Sequence, residues 1–193
     1  MDKIICVGKN YLDHAKELGD VVPEKPVIFL KPPSVLNQAP RWNSTLIVHF
    51  PEDDAVQPEC ELVLRIGKDA YQLKTFDDAL ISHISVGLDM TKRARQTQLK
   101  KDSHPWTTAK VFKDAAILGP WLPVQDFANF ENLEFKLLIN DQEKQHGRAS
   151  QMMMPCLELL VYISAFFPLK KGDIIYTGTP AGVTTIHAAD VLQ

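Results

Sequence analysis

The run Glu59-Cys60-Glu61-Leu62-Val63-Leu64-Arg65-Ile66 constrains this chain more than any other stretch. Side chains alternate across a strand, so Cys60, Leu62, Leu64 and Ile66 share one face, and Glu59, Glu61, Val63 and Arg65 the other. The apolar face needs a second layer to cover it, and the opposite face carries two carboxylates aimed the same way. Spacing alone leaves two readings of those acids open. Either they decorate a wet face while Asp89 caps the helix after it, or they converge with Asp89, expected at the end of a buried strand over residues 84–88. In the second case they form an all-oxygen ligand set suited to Mg²⁺ or Mn²⁺.

Short apolar segments surround this strand. Residues 4–7, 27–30, 46–50, 111–118, 133–139 and 174–176 read as further strands, and Asn140-Asp141 as the turn of a hairpin. Helices are expected over 10–18, closed by Gly19, and over 76–83, 91–101 and 155–167. The last is strongly apolar, with Pro155 at its start and Pro168 at its stop, and reads as a core element. Residues 31–44, rich in Pro, Asn and Ser, read as an ordered connection. Many short strands without regular strand and helix alternation predict a β-rich α+β fold. A length of 193 residues is that of one domain, expected over 1–193.

Charge and cysteine usage narrow the function classes. Against 24 acidic residues there are 21 Lys and Arg, a net charge of -3 that cannot hold a phosphate backbone, so nucleic acid is not an expected partner. The three scattered cysteines fit neither a disulfide framework nor a zinc knuckle, and the six histidines include no close pair. The longest apolar run, residues 156–169, is broken by Glu158 and Pro168 and falls short of the roughly 18 residues of a membrane span. The amino terminus lacks the pattern of a signal peptide. A cytoplasmic protein is expected.

Further residues invite a chemical reading beside a bland one. His14 and Glu17 lie three apart on one helix face, where Glu17 orients the imidazole as a general base or merely pairs with it at the surface. Lys110, within Thr107-Thr108-Ala109-Lys110-Val111-Phe112, is a charge leading into an expected apolar strand; it either works in a site or snorkels to solvent. The turn at residues 177–182 is Gly-rich but lacks the Gly-Lys-Ser/Thr ending of a phosphate loop. Met152 to Met154 reads as core filling.

Taken in chain order, Val7-Gly8-Lys9-Asn10-Tyr11-Leu12-Asp13-His14, Phe29-Leu30-Lys31-Pro32, Glu59-Cys60-Glu61-Leu62 with Ile66-Gly67-Lys68, Gly87-Leu88-Asp89-Met90-Thr91, Pro105-Trp106-Thr107-Thr108-Ala109-Lys110 and Gly172-Asp173-Ile174-Ile175-Tyr176-Thr177-Gly178-Thr179-Pro180 resemble the fumarylacetoacetate hydrolase family, in its small branch of acylpyruvases and oxaloacetate decarboxylases. The resemblance implies a mixed β-roll, commonly a homodimer. It places Glu59, Glu61 and Asp89 on the metal-binding carboxylates for Mg²⁺ or Mn²⁺ and Lys110 on the active-site lysine. His14 and Glu17 fall on the water-activating pair, and Arg93, Gln96 and Thr179 on substrate contacts. The implied substrate is a small 2-oxo or 2,4-diketo acid that chelates the cation through its carboxylate and keto oxygens. The implied main activity is hydrolysis of an acylpyruvate carbon-carbon bond, with decarboxylation or keto-enol isomerisation of an oxaloacetate-type acid as the alternative. A non-catalytic ligand-binding member is a further reading. The chain departs from the family pattern at Pro58, where relatives often carry His, and has only 13 residues after Pro180, which reads as a shortened or truncated carboxyl end.

Overall fold

The structure is a computed structural model that describes residues 1–19, 21–51, 54–75, 77–129 and 132–193. In order, β1 is Ile4–Gly8, α1 Leu12–Glu17, β2 Val27–Lys31, β3 Leu36–Gln38, β4 Val56–Ile66 and β5 Ile81–Lys92. Then come α2 Arg93–Lys101, α3 Thr107–Lys110, β6 Ala116–Leu118, β7 Leu122–Pro123, β8 Glu134–Ile139, β9 Gln142–Arg148, α4 Cys156–Ser164 and β10 Ile174–Tyr176. Among the described residues the sheet runs β2-β1-β10-β4-β5-β6-β3, with β7 beside β5 and β8-β9 as a separate hairpin. The pairs β1-β10 and β3-β6 are parallel and the others antiparallel, which makes the mixed, curled sheet of a β-rich α+β fold.

The alternation in β4 sorts two cores. Cys60, Leu62, Leu64 and Ile66 join the larger one, with Leu159, Leu160 and Ile163 of α4 and Phe135 and Leu137 of β8. Val63 belongs to a second cluster with Ile4, Cys6, Leu118 and Tyr176. The face that carries Glu59 and Glu61 is therefore the inside of the roll and not a wet surface.

Several elements differ from the sequence expectation. Residues 46–50 form no strand: the His49 amide donates to the Asp114 carboxylate, while Leu46, Val48 and Phe50 cover the large core. Of the helix expected over 76–83, Phe76 lies outside the described residues; Asp77 instead caps a 3-10 turn at Asp78–Leu80 and β5 follows at once. That strand runs through Asp89 to Lys92, so Asp89 sits within it and α2 starts only at Arg93. Lys110 ends α3, and Asp114, at φ 58°, turns the chain before β6, which leaves a strand of three residues where eight were expected. The hairpin turn has Asn140 and Asp141 at φ 51° and 62°, the left-handed pair that a two-residue connection needs. Pro58 breaks no ladder, because β10 covers β4 only at Val63 to Arg65 and the amide edge at Pro58 faces no strand. Cys6, Cys60 and Cys156 are buried. Among the described residues no helix is long and apolar enough to cross a membrane.

Candidate active site

Antiparallel register brings the acids together. Glu59 stands directly across from Asp89, and Glu61 lies two residues along the same face, opposite Gly87. One oxygen from each of Glu59, Glu61 and Asp89 lies within 4.8 Å of the others, and the three side chains are buried. Gly87 is required there, since a Cβ would meet Ile117 O at 2.7 Å and the Tyr176 ring at 2.8 Å.

Three cations face these acids. Lys110, brought in by the short turn of α3, donates to Glu59 Oε2 at 2.7 Å, Asp89 Oδ2 at 2.8 Å and Thr91 Oγ1 at 2.6 Å. It is 2% exposed, so it does not snorkel. Arg93, on the first turn of α2, donates to Glu59, to Gln57 at 2.7 Å and to Gln96 at 2.6 Å. Lys31, at the end of β2, donates to Met90 O and Ala115 O and stands 2.5 Å from Asp89 Oδ1 as an ion pair, out of hydrogen-bond alignment. That buried carboxylate oxygen accepts no hydrogen bond. Sequence reasoning assigned Lys31 no role; the available signal was a lysine at the end of the apolar run 27–30, much as Lys110 stands at the start of one.

Burial alone would raise the Glu59 carboxyl, but Lys110, then Arg93 and His14, hold it well below the carboxylate range. Glu61 moves the opposite way. Burial and the neighbouring Asp89 and Glu59 charges push it well up, and the Gly178 amide, donating at 2.6 Å, only partly offsets them. Burial would lower Lys110, yet Asp89 and Glu59 hold it well above its ordinary value, so it remains an ammonium. Lys31, Lys110 and Arg93 balance the three carboxylates in formal charge, and Asp89 Oδ1 is left as a buried oxygen that accepts no hydrogen bond. The donor set, all carboxylate oxygen, is that of a hard divalent cation, and the residues fit one.

Glu59 and Glu61 line a cleft that opens to solvent. His14, Arg93, Gln96, Lys110 and Thr179 line it. His14 Nδ1 meets Glu17 Oε2 at 3.2 Å, and Glu17 also accepts the Gly182 amide, so the pair is tied to the turn after β10. Thr179 in that turn donates to Cys60 O and accepts from Gln145, both at 2.8 Å. Asn10 clamps the turn from behind by donating to Thr177 O and Met154 O and accepting from Met154 N. The structure thus brings seven of the nine sequence-selected residues to the lining of one cleft, with Asp89 directly across the ladder from Glu59 and Glu17 hydrogen-bonded to His14.

The curled mixed sheet carries on its inner face a carboxylate triad that could hold a metal ion. The sequence profile of the family described as "Fumarylacetoacetate (FAA) hydrolase C-terminal" matches residues 3–193, and the chain belongs to this family. It is 39% identical over 194 residues to the mitochondrial oxaloacetate tautomerase of Caenorhabditis elegans, spanning 99% of this chain and 88% of the relative. It is 35% identical over 195 residues to an oxaloacetate tautomerase of Escherichia coli K12, spanning 100% and 87%. The crystal structure of a Pseudomonas aeruginosa fumarylpyruvate hydrolase in complex with Mn²⁺ and pyruvate superposes with a TM-score of 0.92 at 30% identity, covering 100% of this chain and 83% of that one.

Proposed function

We propose that this protein is a divalent-cation-dependent enzyme whose main reaction is keto-enol interconversion of an oxaloacetate-type 2-oxo acid. The observation that carries the reading is the convergence of Glu59, Glu61 and Asp89 in one cleft with Lys110 and the His14–Glu17 pair. The two relatives named oxaloacetate tautomerases support this reaction over acylpyruvate hydrolysis, the main activity that the family resemblance implies.

Glu59, Glu61 and Asp89 would hold Mg²⁺ or Mn²⁺, which supplies positive charge against the oxygen of the 2-oxo group as negative charge develops there. Glu17 holds His14 through Nδ1 and leaves Nε2 for proton transfer. In the enol direction His14 takes the proton from carbon 3, and the imidazolium returns it to the 2-oxo oxygen, so no atom is gained or lost. Lys110, held protonated with its three hydrogens on Glu59, Asp89 and Thr91, adds positive charge near the oxyanion and is not the base. Arg93, Gln96 and Thr179 orient the substrate. Oxaloacetate decarboxylation would use the same charge stabilisation without a base. Hydrolysis of an acylpyruvate is the second reading, favoured by the His14–Glu17 pair, which suits proton removal from water. The assembly proposed from the family resemblance is a homodimer. The compartment proposed is the cytoplasm or, as the name of the nematode relative has it, the mitochondrion.

The test is an assay of Mg²⁺-reconstituted protein on oxaloacetate, following enol absorbance and pyruvate release separately, with acetylpyruvate cleavage alongside. Enol relaxation should be accelerated by about 10² or more and be lost in Glu61→Ala. Acetylpyruvate cleavage outpacing enol relaxation would replace this reading with the hydrolase. Absence of Mg²⁺ or Mn²⁺ binding at millimolar concentration would make the protein a non-catalytic member.

A further inference from the structure

Backbone groups on either side of Thr179 fix the polarity of its hydroxyl. Cys60 exposes both its N–H and its C=O on the edge of β4 that β10 leaves uncovered. The N–H can only donate, and it bonds Gln145 Oε1 at 2.9 Å, so the Gln145 amide nitrogen must face the other way. There Nε2 donates to Pro180 O and to Thr179 Oγ1, each at 2.8 Å. Cys60 O can only accept, and it takes the Thr179 proton at 2.8 Å. A hydroxyl owns one proton and two lone pairs. With the proton committed and one lone pair filled, Thr179, which lines the cleft, has only an acceptor left to offer.

A bulge aims Gln145. Pairing between β8 and β9 passes from Leu137↔Gln145 to Leu138↔Glu143, so Lys144 is an extra residue and the strand turns Gln145 inward, where it is 1% exposed. The turn after β10 seats on the same bulge: at Gly182, φ 102°, a Cβ would lie 2.0 Å from Lys144 O.

Given the proposed substrate, the chemistry of that acceptor is selective. At neutral pH the keto form of a 2-oxo dicarboxylate has no O–H or N–H, whereas the enol has one hydroxyl. We propose that Gln145 is a positioning residue that locks the Thr179 hydroxyl as an acceptor toward the cleft, and that through it the site tells the enol hydroxyl of its substrate from the ketone. This rests on the tautomerase reading and deepens it.

The test compares wild type with Thr179→Val, Thr179→Ser and Gln145→Met, each with Mg²⁺. Calorimetry gives the affinities of 2-hydroxybutanedioate, which carries a hydroxyl, and butanedioate, which does not; kinetics gives KM from the enol and keto sides. Wild type and Thr179→Ser should keep the preference for the hydroxyl ligand, and Thr179→Val should lose about tenfold of it. In that variant the enol-side KM should rise by a like factor while the keto-side KM stays within about twofold. Gln145→Met should shift both readouts in the same direction by about threefold or more. If it does not fold, Gln145→Glu replaces it, keeping an acceptor for the Cys60 amide but offering Thr179 no hydrogen, with the same expected shift. Equal weakening of both ligands, or an unchanged preference in Thr179→Val, overturns the inference. A wild-type protein that leaves keto-enol relaxation unaccelerated overturns the proposed function instead, so the two failures are distinct.

Discussion

Lys110 shows how one residue's surroundings decide its work. Its sequence context, Ala109-Lys110-Val111, is equally consistent with a lysine lying across an apolar surface; only the fold places Glu59 and Asp89 within hydrogen-bond reach. Once there, the ammonium bridges two buried carboxylates, and removing it leaves Glu59 to Arg93 alone and Asp89 to Lys31 alone. Lys110→Met should cost the cation-free protein about 3–5 kcal/mol, measured by denaturant unfolding with chelator present, and should abolish activity. Saturating Mg²⁺ should restore part of the lost stability, because a bound cation offsets the same charges. A variant as stable as wild type in chelator would mean that Lys110 is not their counter-ion. Glu59, Glu61 and Asp89 repeat the lesson: spacing allowed a wet face, and burial inside the roll removed that alternative.

At the scale of elements, the pieces that were legible in the sequence are those whose stability is local or whose pattern is strong. The alternation of β4, the apolar α4 bounded by prolines and the Asn140-Asp141 hairpin all appear. Residues 46–50 carry a strand's apolar pattern but find a carboxylate in place of a neighbouring strand, and a pattern cannot announce its partner. Nor could any periodicity place Gln145, which depends on a bulge in β9. The turn at 177–182 is the element on which the site depends most, held by Asn10, Gln145, Glu17 and Glu61. Gly182→Ala strains its φ and forces the turn off Lys144, withdrawing the amide that holds Glu17. Thermal unfolding should reveal a loss of about 1–3 kcal/mol, with a fall in activity at temperatures where the variant is still folded. Unchanged activity in the folded variant would show that the turn does not set the His14–Glu17 pair.

Across the whole molecule, the amino terminus is fastened to the strand that precedes this turn. Asp173, fully buried beside β10, accepts from the backbone amides of Asp2, Lys3 and Lys170 and from Lys3 Nζ. Burial by itself would raise its carboxyl, but Lys3 and those amides hold it below the usual range. With the folded value depressed, the stabilisation is present above the unfolded carboxylate pKa of about 3.9 and is lost as pH falls through the folded value. Asp173→Asn should therefore be less stable than wild type by about 1–3 kcal/mol at neutral pH, with the gap closing in acid. A gap that persists unchanged well below pH about 3 would rule out ionisation as its source.

By itself the sequence determined part of the local grammar: the alternation of β4, where the hairpin turns and which helix is core. These follow from period, turn chemistry and residue type, all of which act over a few positions. Tertiary structure decided which carboxylates meet, that their face is buried, that Lys31 joins them, and which way the Thr179 hydroxyl points. Those outcomes depend on pairing between segments from 10 to 180 along the chain, and contacts closed over such distances leave no periodic trace in the residues that make them.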